Sequence, residues 1–369
     1  MQEIIIGKNE VGQRFDKFLF KFFKEAPGSF IYKMLRKKNI VLNNKKANGK
    51  EKLNINDSVK IYMTDDTIDK FTGKGNSSVL TLPHFSLDVV YEDENIIIVN
   101  KPSGILSQKA QKDDISINEY IISYLVETKS LSATQLKTFK PGVCNRLDRN
   151  TSGLIIAGKS LIGLQTMSEI IKKRSMDKFY LTLVSGYLDK TTTIKGYLKK
   201  DKKTNKVTIS NKETPDGKYI ETKYEPIGFG ENLTLLKVKL VTGRAHQIRA
   251  HLSSIGHGII GDYKYGNRDF NNQIKWKDGV NYQLLHSYEL VVPEGTGELS
   301  GLHIIDPVPE VFHKVQTRWG LEVPELSYEN ETKNRETDNK RAGNTRTGRT
   351  TNKKTENART EKIRKSRRK

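Results

Sequence analysis

The sequence predicts an α+β protein of two folded parts and a tail, and three observations carry that prediction. Near the start, Phe15, Phe18, Leu19 and Phe22 fall at i, i+3, i+4 and i+7, the spacing of one helix face. From residue 85 onward, short apolar or alternating runs recur with three helical stretches among them, which suits a sheet-rich domain. After Tyr328 large apolar residues almost vanish, so residues 326–369 cannot bury enough surface to fold alone. With 369 residues the chain is long enough to hold two cores.

Residues 1–64 read as the first part. An apolar strand at 3–6 leads into the aromatic helix. A turn at Pro27-Gly28-Ser29 precedes a second helix, with Ile31, Met34 and Leu35 on one side and Lys33, Arg36, Lys37 and Lys38 on the other. Ile40-Val41-Leu42 reads as a strand, Asn43-Asn44-Lys45 as a turn, and Asp57-Ser58-Val59-Lys60-Ile61-Tyr62 as a closing strand. The pieces Arg14-Phe15-Asp16-Lys17-Phe18-Leu19, Leu35-Arg36-Lys37-Lys38-Asn39-Ile40, Val41-Leu42-Asn43-Asn44-Lys45 and Asn56-Asp57-Ser58-Val59 resemble, in order and spacing, the S4 RNA-binding domain. The resemblance implies that a basic face with Arg14, Lys17, Arg36 and Lys37 lies on structured RNA. The bland alternative is an ordinary solvated face.

Residues 65–84 are polar, with Thr72-Gly73-Lys74-Gly75-Asn76-Ser77-Ser78, and read as a linker. The second part, 85–325, opens with strands at 87–92 and 95–100 around an Asp93-Glu94 turn. A helix fits 115–127, a buried strand 154–157, a helix 160–173 and a strand 179–184. Alternating strands fill 192–242, helical residues 245–255 follow, and 283–291 reads as the last strand. Residues 326–369 read as a disordered basic tail.

The formal charge of +21 points to a polyanionic partner. Residues 331–369 hold 15 lysines and arginines against 5 acids, a net of +10, and the remaining +11 is spread over the body. A membrane partner is not expected. No run approaches the ~18 apolar residues of a span, and no basic amphipathic helix carries an aromatic face. Cys144 is the one cysteine, so no intramolecular disulfide can form. With no signal-like start, a reducing, cytoplasmic setting is expected.

The most informative stretch is Asn145-Arg146-Leu147-Asp148-Arg149-Asn150-Thr151-Ser152-Gly153-Leu154. Flanking cations favour a carboxylate, a carboxylate can be a nucleophile, and arginines bind phosphate. The same loop reads equally well as a surface turn with a local ion pair. Gly153–Ser160 matches the phosphate-loop pattern G-x-x-x-x-G-K-S. Its middle residues are an apolar strand whose amides should pair in a sheet, so nucleotide binding is rejected. His246 and His251 are five apart, about 140° off a shared helix face, and with His257 and His286 they lack acids at ligand spacing. Polar core or RNA contacts suit them better than zinc. Ser152 lacks a G-x-S-x-G elbow, and Cys144 reads as a buried structural thiol.

Three segments converge: the Asp148 loop, Lys178-Phe179-Tyr180-Leu181-Thr182-Leu183-Val184-Ser185-Gly186, and Thr242-Gly243-Arg244-Ala245-His246-Gln247-Ile248-Arg249-Ala250-His251-Leu252. Together they resemble the RluA-type pseudouridine synthases in the subgroup with an N-terminal S4 domain, over about residues 1–310. The resemblance implies a mixed, mostly antiparallel catalytic sheet and an isomerisation of uridine to pseudouridine in RNA, with large-subunit ribosomal RNA as the expected target. It implies no cofactor and no metal. It makes Asp148 the nucleophile, Tyr180 the packing partner of the base and proton acceptor at the new carbon, and Arg249 the partner of Asp148. Arg146 would displace the base, and Arg149, Thr151, Arg244 and His246 would contact RNA. Whether Asp148 attacks the sugar or abstracts a sugar proton stays open at this point. The family histidine before Arg-Leu-Asp is Asn145 here, Ala245 stands where threonine or lysine is frequent, and Gly258 where proline is. A monomer is expected. The rival reading is a catalytically silent RNA-binding or ribosome-assembly factor on the same fold.

Overall fold

The computed structural model describes residues 1–73, 85–111, 113–132, 135–201, 204 and 206–322. The tail expected at 326–369 lies outside them.

The N-terminal region runs β1 (Gln2–Ile5), α1 (Phe15–Phe22), α2 (Gly28–Arg36), β2 (Ile40–Leu42), β3 (Lys45–Lys46), β4 (Ser58–Ile61) and α3 (Asp65–Thr72). Its strands form an antiparallel sheet in the order β1-β4-β2-β3. The aromatic periodicity of α1 does what it predicts. Phe15, Phe18, Leu19 and Phe22 are all buried, and the Phe15–Phe18–Phe22 rings stack at 6.4–6.5 Å. They pack with Ile31 and Leu35 of α2 and Ile40, Val59 and Ile61 of the sheet.

Residues 65–72 correct the expected linker at 65–84. They form α3, which buries Ile68 in the same core and sets Phe71 against Phe30 at 4.3 Å between centroids. Only these two apolar residues mark the helix, so composition hides it. Residues 74–84 lie outside the described set.

The second region contains β5 (Asp88–Glu92), β6 (Ile96–Lys101), α4 (Ile117–Glu127), β7 (Gly142–Val143), β8 (Ser152–Gly158), α5 (Leu161–Lys173), β9 (Asp177–Ser185), β10 (Thr192–Lys200), β11 (Val207–Ser210), β12 (Lys218–Gly230) and β13 (Leu233–Leu240). It continues with α6 (Gln247–Ser254), α7 (Arg268–Asp278), β14 (Leu285–Val291), β15 (His303–Ile305) and α8 (Glu310–Arg318). The strands make one 11-stranded sheet, in the order β11-β10-β12-β13-β9-β14-β8-β6-β5, with β15 beside β14 and β7 beside β8. Every strand pair is antiparallel except β14–β8. Sequence reading missed α7, β15 and α8, which follow or flank the strand it took to be last.

All seven residues of β8 are buried, and their backbone pairs with β6 and β7. The amides of the G-x-x-x-x-G-K-S stretch are therefore spent on the sheet, as expected. β14 enters between β9 and β8, with Ser287 facing Gly153 in parallel register. Gly153 sits at φ +103°, and a Cβ there would lie 2.3 Å from the Ser287 carbonyl oxygen. Only glycine allows this approach.

Candidate active site

The Asp148 loop lies between β7 and β8, and its neighbours hold its backbone in place. Ser107 Oγ donates to the Leu147 carbonyl at 2.7 Å and accepts the Leu147 amide at 2.9 Å. Ser103 Oγ donates to Asn150 O at 2.9 Å. Lys101, at the end of β6, is fully buried, and its Nζ donates to the carbonyls of Pro102, Ile105 and Arg149 at 2.9, 2.9 and 3.0 Å. Burial pulls this ammonium down to about 7, and Asp148 opposes the shift. Only the –NH3⁺ form has a hydrogen for all three carbonyls.

Asn145, in place of the family histidine, does not loosen the loop. Its Oδ1 accepts the Ile156 amide at 2.7 Å and its Nδ2 donates to Leu154 O at 3.3 Å, pinning the loop to β8.

Arg249 projects from α6 to Asp148. Its Nη1 donates to Asp148 Oδ2 at 2.8 Å. Its Nε and Nη2 grip the two oxygens of Asp262 at 2.7 and 3.0 Å. The Asp262 pair is bidentate and both partners are buried, which fixes the guanidinium as a fork. Burial works against the Arg249 charge, but the bonds and charges of Asp262 and Asp148 outweigh it and raise the pKa. Arg249 also lies 5.1 Å from the Tyr265 ring centroid. Asp148 itself is a quarter exposed, and its Oδ1 takes no bond from the described residues.

Tyr180 comes from β9 and is 5% exposed. Burial pushes its phenol up to about 12, Asp148 adds to the rise and Ser287 opposes it. His246 places Nε2 4.0 Å from Asp148 Oδ2, and its Nδ1 meets Tyr265 Oη at 2.8 Å.

These groups line one cavity of about 50 Å³ with Arg146, Thr151, Arg244 and Leu285. That is space for a few waters at the bottom of a cleft open to solvent. Arg146 and Arg244 are the exposed wall residues.

The structure thus gathers Asp148, Tyr180, Arg249, Arg146, Thr151, Arg244 and His246 around one space. Arg149 stays outside the lining, with an exposed side chain and a carbonyl bound to Lys101 and to the Gly104 amide. Arg14, Lys17, Arg36 and Lys37 are exposed on the N-terminal region. Arg14 is partly committed, donating to both oxygens of buried Asp16 at 3.1 and 2.6 Å. Sequence reading passed over Asp262, Tyr265 and Lys101. Asp262 lies thirteen residues beyond Arg249, and nothing in that spacing marks the two as partners.

The remaining candidates resolve into core. His251 is buried, bonds Thr222 Oγ1 at 2.8 Å, and is lowered to about 4 by burial. Ser152 Oγ meets His286 Nδ1 at 2.9 Å, and His286 Nε2 bonds the Asp306 backbone carbonyl at 3.2 Å, with the Asp306 carboxylate at a similar distance. All three are buried and none lines the cavity, so a substrate cannot reach the serine. Cys144 is half buried, and burial raises its thiol to about 11. No helix among the described residues is long and apolar enough to cross a membrane.

Fold and site together define a sheet-based enzyme with an arginine-clamped carboxylate at the mouth of a small cleft. Residues 95–254 match the family model described as RNA pseudouridylate synthase. The chain is 34% identical over 279 residues to an uncharacterized RNA pseudouridine synthase of Mycoplasma capricolum, covering 74% of this chain and 88% of that protein. It is 31% identical to the ribosomal large subunit pseudouridine synthase C of Buchnera aphidicola, covering 84% of this chain and 94% of the relative. Human RNA pseudouridylate synthase domain containing 4 shares the fold, with a TM-score of 0.53 at 19% identity, over 68% of this chain and 99% of that one. The chain belongs to the RNA pseudouridine synthase family. It is an isomerase that converts uridine in RNA to pseudouridine, breaking the N1–C1′ glycosidic bond and joining C5 to C1′.

Proposed function

We propose that this enzyme modifies large-subunit ribosomal RNA as a cytoplasmic monomer, with Asp148 as the reacting carboxylate. The observation that carries the catalytic assignment is the fork of Arg249, locked by Asp262, on one oxygen of Asp148, a residue that lines the cavity and whose other oxygen takes no bond from the described residues. Such a carboxylate is oriented before substrate arrives, which is what positioning and electrostatic catalysis require. Oδ1 attacks C1′ as the uracil leaves, and the freed base turns so that C5 takes its place.

Tyr180 packs against the uracil. Its environment favours the neutral phenol, so its part narrows to packing and hydrogen bonding. The proton leaving C5 falls to the Asp148 carboxylate regenerated when the C5–C1′ bond forms. Arg146, exposed at the rim, fills the stack as the target nucleotide flips out. The N-terminal region, read as an S4-type domain, adds phosphate contacts through Lys17, Arg36 and Lys37, and Arg149 and Arg244 add more beside the cleft. Phosphate contacts supply affinity and the pocket supplies base choice. The names of relatives that act on the large ribosomal subunit support this target.

The test incubates unmodified 23S-type and 16S-type ribosomal RNA with wild-type protein and with Asp148→Ala, then maps pseudouridine by chemical adduct and primer-extension stops. Stops in the 23S-type RNA that vanish with the variant are expected. Stops confined to 16S-type RNA would overturn the target. Stops that survive in Asp148→Ala would overturn the carboxylate assignment.

A further inference from the structure

His246 caps the N-terminus of α6 in the left-handed region, at φ +56° and ψ +17°, a conformation a side-chain-bearing residue disfavours. It turns the imidazole toward the cavity. Nδ1 contacts Tyr265 Oη at 2.8 Å, while Nε2 faces Asp148 Oδ2 across 4.0 Å, too far for a hydrogen bond. The Tyr265 oxygen has a second bond, accepting the Val207 amide of β11 at 3.0 Å. The hydroxyl has one hydrogen, and among the described residues Nδ1 is the acceptor within reach. That hydrogen goes to Nδ1, so the neutral ring carries its own on Nε2, on the side of Asp148.

We propose that Tyr265 is a positioning residue for the isomerisation: it locks His246 in the Nε2–H form, so that the ring offers the uridine a hydrogen-bond donor beside Asp148. The same hydroxyl ties this lock to the β10–β11 hairpin through Val207. The proposal rests on the reading of Asp148 as the reacting carboxylate.

The groups around the ring agree with a neutral imidazole. Burial lowers the His246 pKa; Asp148 opposes, and Arg249, Lys264 and Lys200 at the end of β10 lower it further. A protonated ring would instead carry a hydrogen on Nδ1 and donate it to Tyr265, displacing the hydroxyl hydrogen. The Tyr265 ring meets the Arg249 guanidinium as well, so one side chain touches both partners of Asp148.

Tyr265→Phe keeps the ring over Arg249 and removes the hydroxyl alone. His246→Gln places an amide N–H near the Nε2 position and has no tautomer to set. Single-turnover tritium release from ribosomal RNA transcripts labelled at uridine C5 is measured for wild type, each variant and the double variant, with melting curves alongside. Tyr265→Phe is expected to slow wild type about tenfold, and to slow His246→Gln only about twofold or less, because the two residues act as a unit. An equal loss in both backgrounds makes Tyr265 merely structural, and no loss in wild type removes its role; either result overturns the proposal. Should Tyr265→Phe fail to fold, His246→Asn carries the test. It sets its amide at the Nδ1 position and leaves Nε2 empty, so it should be about tenfold slower than His246→Gln, and equal rates overturn the proposal. Tritium release persisting in Asp148→Ala would instead break the underlying reading of the site.

Discussion

In the N-terminal region, Phe15, Phe18, Phe22 and Phe23 fill the core, and Lys17, Arg36 and Lys37 stay outside. In the sheet domain, Lys101, Arg249, Asp262, His251 and His286 are buried as deeply as the leucines around them. The first region keeps apolar stability and charge on separate surfaces. The second places charge inside and has to satisfy it bond by bond, since an unpaired buried charge is costly. Binding a polyanion asks only for cations on a firm support. Holding a reacting carboxylate asks for a rigid, dry network. The two regions meet through polar contacts, among them Thr138 Oγ1 donating to Glu10 at 2.7 Å and the Leu161 amide donating to Asn9 Oδ1 at 2.9 Å.

The comparison predicts that damage inside the sheet domain costs activity first. Asp262→Ala strips Arg249 of two of its three bonds to carboxylates. It should destabilise by about 3–5 kcal/mol in urea titrations and abolish measurable tritium release; a fully active variant would show that Arg249 needs no anchor. Phe18→Ala should cost a similar ~3–5 kcal/mol. Amide hydrogen exchange should locate that loss in residues 1–72, and exchange rising equally in β8 and β9 would dissolve the contrast between the regions.

Acid sharpens the contrast further. His251 falls from 6.5 to about 4 on burial. A folded state with the lower pKa binds fewer protons than the unfolded chain between those values. Stability should therefore fall as pH drops from 6.5 toward 4, by up to about 1.4 kcal/mol per pH unit. His251→Asn should flatten that slope in melts taken across this range. Arg36→Gln and Lys37→Gln should each weaken RNA binding a few-fold and reduce the logarithmic salt slope by about 1, without changing the single-turnover rate at saturating protein. At the small end, Glu169→Gln breaks an exposed i,i+4 pair with Lys173 and should leave the urea midpoint unchanged within error.

Periodicity made α1 legible, and unbroken apolar runs made β6 and β8 legible, because burial on one face or on both leaves a linear trace. α7 left a weaker one, with only Phe270 and Ile274 at helix spacing and Trp276 86% exposed. Its caps were readable: Asn267 accepts the Phe270 amide, and Gly279 closes the helix at φ +72°. Within the site, Asp148, Tyr180 and Arg249 stood out through the family resemblance. Asp262, Tyr265 and Lys101 did not, since their importance lies in what they touch. Lys101 serves a loop 48 residues away, and Tyr265 joins His246 to Val207, 58 residues upstream. No spacing rule reports such contacts.

The place of β14 has a consequence for how the enzyme comes into being. Asp148 leads into β8, while Tyr180 stands on β9, and the strand between them, Leu285–Val291, is made more than 100 residues after either. β8 and β9 share no ladder with each other, so the two halves of the site are joined through the sheet only by β14. Pairing of β14 with both is a long-range step that local contacts cannot speed. A chain cut before Leu285 lacks that joining strand, and it is expected to show no tritium release.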